Sequence, residues 1–199
     1  MADRIDELAS AFARLPGIGP RQGKRFVFHL LSAPASERQR LAKLIEQLGS
    51  DVHQCPDCCR FFTNGRAGLC NFCSNSSRDD SLLMLVEKDQ DLAAVERAGT
   101  YKGRYFVLGG VLTLSGKGAI REYELVSAVK KRAGGGLQEV VLALSATSEG
   151  EHTADRVREL LAPYRDQLVI SALGRGLATG SELEYSDAET VRAALAGRK

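Results

Sequence analysis

The densest chemistry in the chain lies between Cys55 and Cys73. The residues read Cys55-Pro56-Asp57-Cys58, then eleven residues, then Cys70-Asn71-Phe72-Cys73. A C-x-x-C pair can set two thiolates on one side of a tight turn. Two such turns facing each other offer four sulfurs at the corners of a tetrahedron. With every corner filled by protein there is no open position for water, so the pattern predicts one structural zinc per chain, not a catalytic one. Two disulfides or redox-active thiols are the competing reading. That reading weighs less, because no apolar signal segment opens the chain and the thiols are expected in a reducing cytosol. The stretch from Arg60 to Leu69 has no sustained apolar periodicity and needs the metal to order it. Cys59 reads as a small buried thiol outside the ligand set, and His53 as a strand or turn residue.

A second group could bind phosphate. In Leu15-Pro16-Gly17-Ile18-Gly19-Pro20 two glycines flank one apolar residue, which makes a tight turn with exposed backbone amides. Pro20 can open the next helix, since its missing N–H is not needed there. Arg21, Lys24 and Arg25 then sit on the first turns of that helix. Amides at a helix N-terminus attract a phosphate, and basic side chains add a salt-dependent term. Gly17, Gly19, Arg21, Lys24 and Arg25 are therefore the predicted DNA-backbone contacts, in the helix-hairpin-helix pattern of sequence-independent DNA binders.

The elements that must carry these groups follow from periodicity. Residues 3–14 place Ile5, Leu8, Ala9 and Phe12 at helical spacing and stop before Pro16. The helix from Pro20 turns Phe26, Val27, Leu30 and Leu31 inward, with His29 as a core histidine. A third helix is expected from about Ser36, as N-cap, to Leu48, ending at Gly49. Beyond the cysteines, strands are predicted at Leu82–Val86, Arg104–Leu108, Glu139–Leu144 and Leu168–Ile170. Helices are predicted at Asp91–Ala98, Glu122–Arg132 and Glu149–Tyr164. Alternation of this kind predicts a doubly wound parallel α/β sheet. Ligands on such sheets gather at the carboxyl ends of strands. Here those ends carry Glu87, Gly109-Gly110 and the run Ser145–Glu151.

Charge agrees with this division. The formal net charge is only +2, but Arg14 to Lys43 holds seven basic residues against Glu37 alone. A basic patch of that kind suits a phosphate backbone. No run of 18 apolar residues exists, so no membrane span is expected.

The order of the parts is more specific than any one of them. The Leu-Pro-Gly-Ile-Gly-Pro hairpin, the four cysteines, Val86-Glu87, Leu108-Gly109-Gly110-Val111, Ser148-Glu149-Gly150-Glu151 and Gly180-Ser181-Glu182-Leu183-Glu184-Tyr185 together resemble the RecR family of bacterial recombination mediators. The resemblance covers nearly the whole chain. It implies a helix-hairpin-helix DNA-binding and dimerisation domain over 1–53 and a zinc module over 54–78. It further implies a Toprim α/β domain over 79–174 and a C-terminal assembly segment over 175–199. It implies a tetrameric ring that clamps DNA and acts with RecO and RecF at gapped or single-stranded DNA, in the bacterial cytoplasm and nucleoid. Arg21 and Arg25 resemble the basic residues that the family assigns to DNA contact. Three stretches depart from the family pattern: Thr113-Leu114-Ser115-Gly116-Lys117-Gly118-Ala119, Ser145-Ala146-Thr147 and Ala178-Thr179-Gly180-Ser181.

Toprim enzymes hold magnesium with a glutamate and an Asp-x-Asp pair. Glu87 fits the glutamate, but the pair falls on Ser145 to Thr147, where no carboxylate stands. Magnesium is bound through carboxylates and waters, with little help from hydroxyls alone. Glu149 and Glu151 form a weak metal or partner face with Glu87, or simply favour a helix N-terminus. The expectation is a non-enzymatic clamp. The alternative is a Toprim-type nuclease or primase-like enzyme, and a weaker third reading is a zinc-ribbon protein that binds RNA or ribosomes.

Overall fold

In the computed structural model of the chain the described residues are 3–66, 68–115, 118–177 and 179–197. Gly116, Lys117 and Ala178, part of the departures noted above, lie outside them. The chain forms two compact units, Met1–Val52 and His53–Lys199.

The first unit is three helices: α1 (Arg4–Ala13), α2 (Pro20–Ser32) and α3 (Ala35–Asp51). Asp3 caps α1, its carboxylate accepting from the Ile5 amide at 3.1 Å, and Asp6 and Glu7 favour the same positive end. α1 and α2 approach closely because Gly23 faces α1. A Cβ there would lie 2.6 Å from the Ala9 carbonyl oxygen. Phe12 and Phe26 meet edge to face beside this contact, ring centroids 5.8 Å apart.

Three expectations are corrected here. α3 starts one residue before Ser36, because the Pro34 carbonyl already accepts from the amides of Glu37 and Arg38 at 3.1 and 3.3 Å. α3 also runs through Gly49 to Asp51: glycine inside a helix costs only about 1 kcal/mol, too little to stop this one. His29, Phe26 and Leu31 are exposed, not inward; among the described residues α2 buries Gly23 and Val27.

The second unit opens with two short antiparallel ladders. β1 (His53–Gln54) pairs with β2 (Phe61–Phe62), and β3 (Gly65–Arg66) with β4 (Leu69–Cys70). His53 is an exposed strand residue tilted against Phe62. Then come β5 (Asp79–Val86), α4 (Asp89–Ala98), β6 (Gly103–Val107), α5 (Glu122–Ala133), β7 (Glu139–Ala143), α6 (Ser148–Leu160) and β8 (Val169–Ala172). The strands are ordered β6-β5-β7-β8, every pair parallel. Both faces are covered, as a parallel sheet requires. Leu83, Leu85, Phe106, Val140 and Leu142 pack with Leu125 and Val129 of α5 and Val157 of α6. Met84, Val86, Tyr105 and Val107 pack with Leu92 of α4 on the other face. The predicted α/β class and parallel sheet are borne out. A 3-10 turn at Leu183–Tyr185 and α7 (Ala188–Ala196), capped by Asp187, complete the chain. No described helix is long and apolar enough to cross a membrane.

Candidate functional site

The four cysteines converge. The sulfurs of Cys55, Cys58, Cys70 and Cys73 all lie within 4.8 Å of one another. Those of Cys58 and Cys70 are 3.6 Å apart. A tetrahedron with metal–sulfur bonds of about 2.3 Å has sulfurs about 3.8 Å apart, so the donor set fits a tetrahedral thiolate metal. Local backbone bonds shape the knuckles. The Cys55 amide donates to the Arg60 carbonyl, and the Cys59 amide to the Cys55 carbonyl, each at 2.8 Å. The Ser74 amide closes the second knuckle on the Cys70 carbonyl at 2.9 Å. Among the described residues, this is the one group of three or more His, Cys, Asp or Glu close enough to share an ion. Cys59 stays out. Its backbone takes a left-handed turn (φ 59°), its side chain joins the sheet core, and burial raises its pKa.

The hairpin between α1 and α2 is a tight turn over Leu15–Ile18, closed by the Ile18 amide on the Leu15 carbonyl at 3.0 Å. Pro16 sits at the second position and Gly17, with φ +77°, at the third. This is the type II arrangement, in which the third residue needs a positive φ. Gly19 is the N-cap of α2. Its amide is not open: the Gln22 side-chain oxygen accepts from it at 2.9 Å. The Gln22 role was readable, since Glu or Gln three residues past a cap is a recognised signature. The amides of Gly17, Arg21 and Gln22 meet no acceptor among the described residues, and all three residues are exposed. They are the donors left for an anion.

The basic side chains divide by what they touch. Arg21 and Arg25 are exposed and have no acidic partner among the described residues. Lys24 is exposed but paired with Asp6 of α1 at 3.0 Å. Arg38, counted in the basic stretch, is used internally. It donates to the carbonyls of Leu30, at 3.1 Å, and Ala33, and so closes the C-terminal end of α2. Periodicity gave no sign of this. Nor did it single out Gly23, although a glycine in an otherwise good helix-forming run was a signal of close packing.

At the carboxyl ends of the strands, Glu87 accepts from the Ser145 amide at 2.6 Å. The hydroxyls of Ser145 and Thr147 share a 3.0 Å hydrogen bond. Thr147 also caps α6 by accepting from the Gly150 amide at 3.1 Å. Glu151 is ion-paired with Arg175, and Glu149 is half-buried on the first turn of α6. Glu87 is thus engaged in holding the β7–α6 loop. Where a second and third carboxylate were looked for, Ser145 and Thr147 present hydroxyls, and that of Thr147 caps α6.

Comparison with known proteins agrees with these parts. The model of the RecR helix-hairpin-helix matches residues 5–48, that of the Toprim domain residues 81–173, and that of the RecR C-terminal region residues 176–199. The chain is similar to the recombination protein RecR of Bifidobacterium longum subsp. infantis, 36% identical over 195 residues, which is 98% of this chain and 95% of the relative. It is similar to that of Lactobacillus helveticus, 36% identical over 197 residues, covering 98% and 96%. The Prochlorococcus marinus protein of the same name is 39% identical over 189 residues, covering 94% and 96%. With a helix-hairpin-helix, a four-sulfur cluster and a parallel Toprim sheet in one order along nearly its full length, the chain belongs to the RecR family.

Proposed function

We propose that this protein is a non-catalytic DNA clamp and mediator of recombinational repair, acting with RecO and RecF at gapped or single-stranded DNA. The observation that carries the reading is the hairpin: Arg21 and Arg25, without an acidic partner among the described residues, stand beside amides of a type II turn and a helix N-terminus that meet no acceptor among those residues. Such a site takes a phosphate and reads no base. Lys24 contributes a weaker phosphate contact, since Asp6 already offsets its charge. Gly17 and Gly19 shape the turn. Cys55, Cys58, Cys70 and Cys73 hold one zinc, whose role is to fix the knuckles and contribute folding energy.

A single hairpin is a weak binder, because non-specific affinities run about 10⁻⁴ to 10⁻⁶ M at physiological salt. The clamp reading therefore includes assembly into a tetrameric ring, which multiplies contacts through effective concentration. Its first self-contact is the apolar groove of about 270 Å³ lined by Leu8, Phe12, Leu30, Leu41 and Ile45, several of them exposed within one chain. Its second is the C-terminal segment from Glu182 to Leu195, with exposed Leu183 and Tyr185. In this scheme residues 1–53 bind DNA and pair, 54–78 hold the metal, 79–174 form the Toprim body and 175–199 assemble the ring. Glu87, Glu149 and Glu151 belong to a partner-facing surface, and the protein works in the bacterial cytoplasm at the nucleoid.

The second reading is a Toprim nuclease, favoured by Glu87 at the end of β5. Incubation of the pure protein with magnesium and labelled DNA separates the two. The clamp shifts DNA without cutting it. Cutting that disappears in Glu87→Gln would establish the enzyme.

A further inference from the structure

The cysteine module straddles one edge of the parallel sheet. β6 is an edge strand, yet all five of its residues are buried. An uncovered edge presents open backbone groups to other chains, and natural sheets cover it. Here the cover is made of knuckle carbonyls and guanidinium groups. The Val107 amide donates to the Cys58 carbonyl at 2.8 Å. The Val107 carbonyl accepts from Arg121 Nη1 at 2.8 Å, and the same nitrogen reaches the Cys59 carbonyl at 3.0 Å. Arg132 donates to the Asp57 carbonyl at 3.1 Å. On the second knuckle, buried Arg104 donates to the carbonyls of Phe72 at 2.7 Å and Cys73 at 3.2 Å, while its Nε pairs with Asp80 at 2.6 Å. Cys59 packs into the core on one face of the sheet and Phe72 on the other, so the module wraps the edge.

We propose that Arg104, Arg121 and Arg132 are positioning residues that couple metal binding to closure of the β6 edge. The three guanidinium groups come from the sheet and from the two ends of α5. They point at backbone carbonyls of Asp57, Cys59, Phe72 and Cys73, in or beside the two knuckles. Those carbonyls have fixed places only while the knuckles are folded. Without metal the arginines lose their acceptors, Val107 loses its outer bond, and β6 is open to strand pairing with a second copy. In the metal-bound chain the same arginines hold the ligands' backbone from outside, as outer partners of metal ligands do elsewhere. The inference rests on the four-cysteine metal reading, which the metal content of the purified chain tests separately. A parent chain that binds no zinc would overturn that reading on its own.

The test uses the full chain with zinc and after chelation. Hydrogen exchange should show the Val107 amide losing protection at least about tenfold on chelation, while the Leu85 and Leu142 amides in the interior strands stay protected. Zinc affinity, measured by competition with a chromophoric chelator, should fall by about 10- to 100-fold in Arg104→Ala and Arg121→Ala with all four cysteines intact. Should an alanine variant fail to fold, Arg104→Lys serves. One ammonium cannot reach Asp80 and two carbonyls together, so the affinity loss should persist. Zinc affinity equal to the parent's in these variants would overturn the coupling. So would a Val107 amide still protected after chelation, or equal loss across β5 and β7.

Discussion

Replacing Gly23 by alanine should destabilise the hairpin although alanine is the better helix former. The new Cβ would lie 2.6 Å from the Ala9 carbonyl oxygen and 3.3 Å from the Ala13 nitrogen, both backbone atoms of α1 that cannot rotate away. Ordinary contact begins near 3.4 Å, so α1 must retreat by roughly 0.8 Å. A gap of that size forfeits about a quarter to a half of the dispersion energy of each contact across it. The Phe12–Phe26 pair lies in that interface and loosens with it. Overpacking of this kind costs about 1 to 3 kcal/mol, while removing an interior helical glycine returns about 1. The net is a loss of about 1 kcal/mol. Gly49 is the internal control: it lies inside α3 with nothing within 4 Å of where a Cβ would go. Gly49→Ala should therefore stabilise by about 0.5 to 1 kcal/mol. The chain has two compact units, so the readout must be local. Hydrogen exchange of the Val27 amide in mild urea serves, alongside far-UV circular dichroism. Gly23→Ala that stabilises as much as Gly49→Ala would refute the close approach of α1 and α2.

Other outcomes follow from the same structure. Cys70→Ser should lose zinc and solubility while Cys59→Ser keeps the parent's zinc content; a Cys70→Ser protein with full zinc by metal analysis would remove Cys70 from the ligand set. Burial alone would raise the Glu96 pKa, but bonds from Arg78 at 2.6 Å and from the Tyr105 hydroxyl at 2.5 Å outweigh it and hold the carboxyl below the ordinary glutamate value of 4.5. A lowered folded pKa stabilises at pH above the unfolded value and is lost as pH falls through the folded one. Glu96→Gln should therefore weaken the chain at neutral pH and flatten the decline in urea midpoint below about pH 4.5. Removal of residues 1–31, or of everything after Tyr185, should each leave a dimer by solution mass and reduce DNA affinity, because two distinct self-contacts are needed to close a ring of four. A parent that is monomeric yet binds long DNA tightly contradicts the ring.

Much of this was legible in the residues. The cysteine spacing fixed a cluster whose geometry is set by two short turns, and the strand-helix alternation gave a parallel sheet within a few residues of its bounds. What escaped were properties that depend on a partner distant in sequence. His29 sits in an apolar run and so reads as core, but burial depends on what covers α2, and among the described residues of the first unit none buries that face. The N-cap of α3 was misplaced by two residues because the Pro34 carbonyl, not the Ser36 hydroxyl, begins the helix. The basic stretch read as one patch, whereas the fold uses Arg38 to close α2 and pairs Lys24 with Asp6. In sequence Arg104 and Arg132 entered only as the bounds of a strand and a helix, and Arg121 not at all. Their roles require the cysteine module to fold back over β6, which no local pattern encodes.

The central claim is that the hairpin binds the phosphate backbone without reading sequence. Its most direct test is the salt dependence of affinity for two unrelated DNA sequences, in the parent and in Arg21→Ala and Arg25→Ala. Each substitution should weaken both DNAs equally and lower the slope of log affinity against log salt by about 0.7 to 0.9, the value of one lost phosphate contact. Unchanged affinity and slope in both variants, or a loss confined to one sequence, would contradict it.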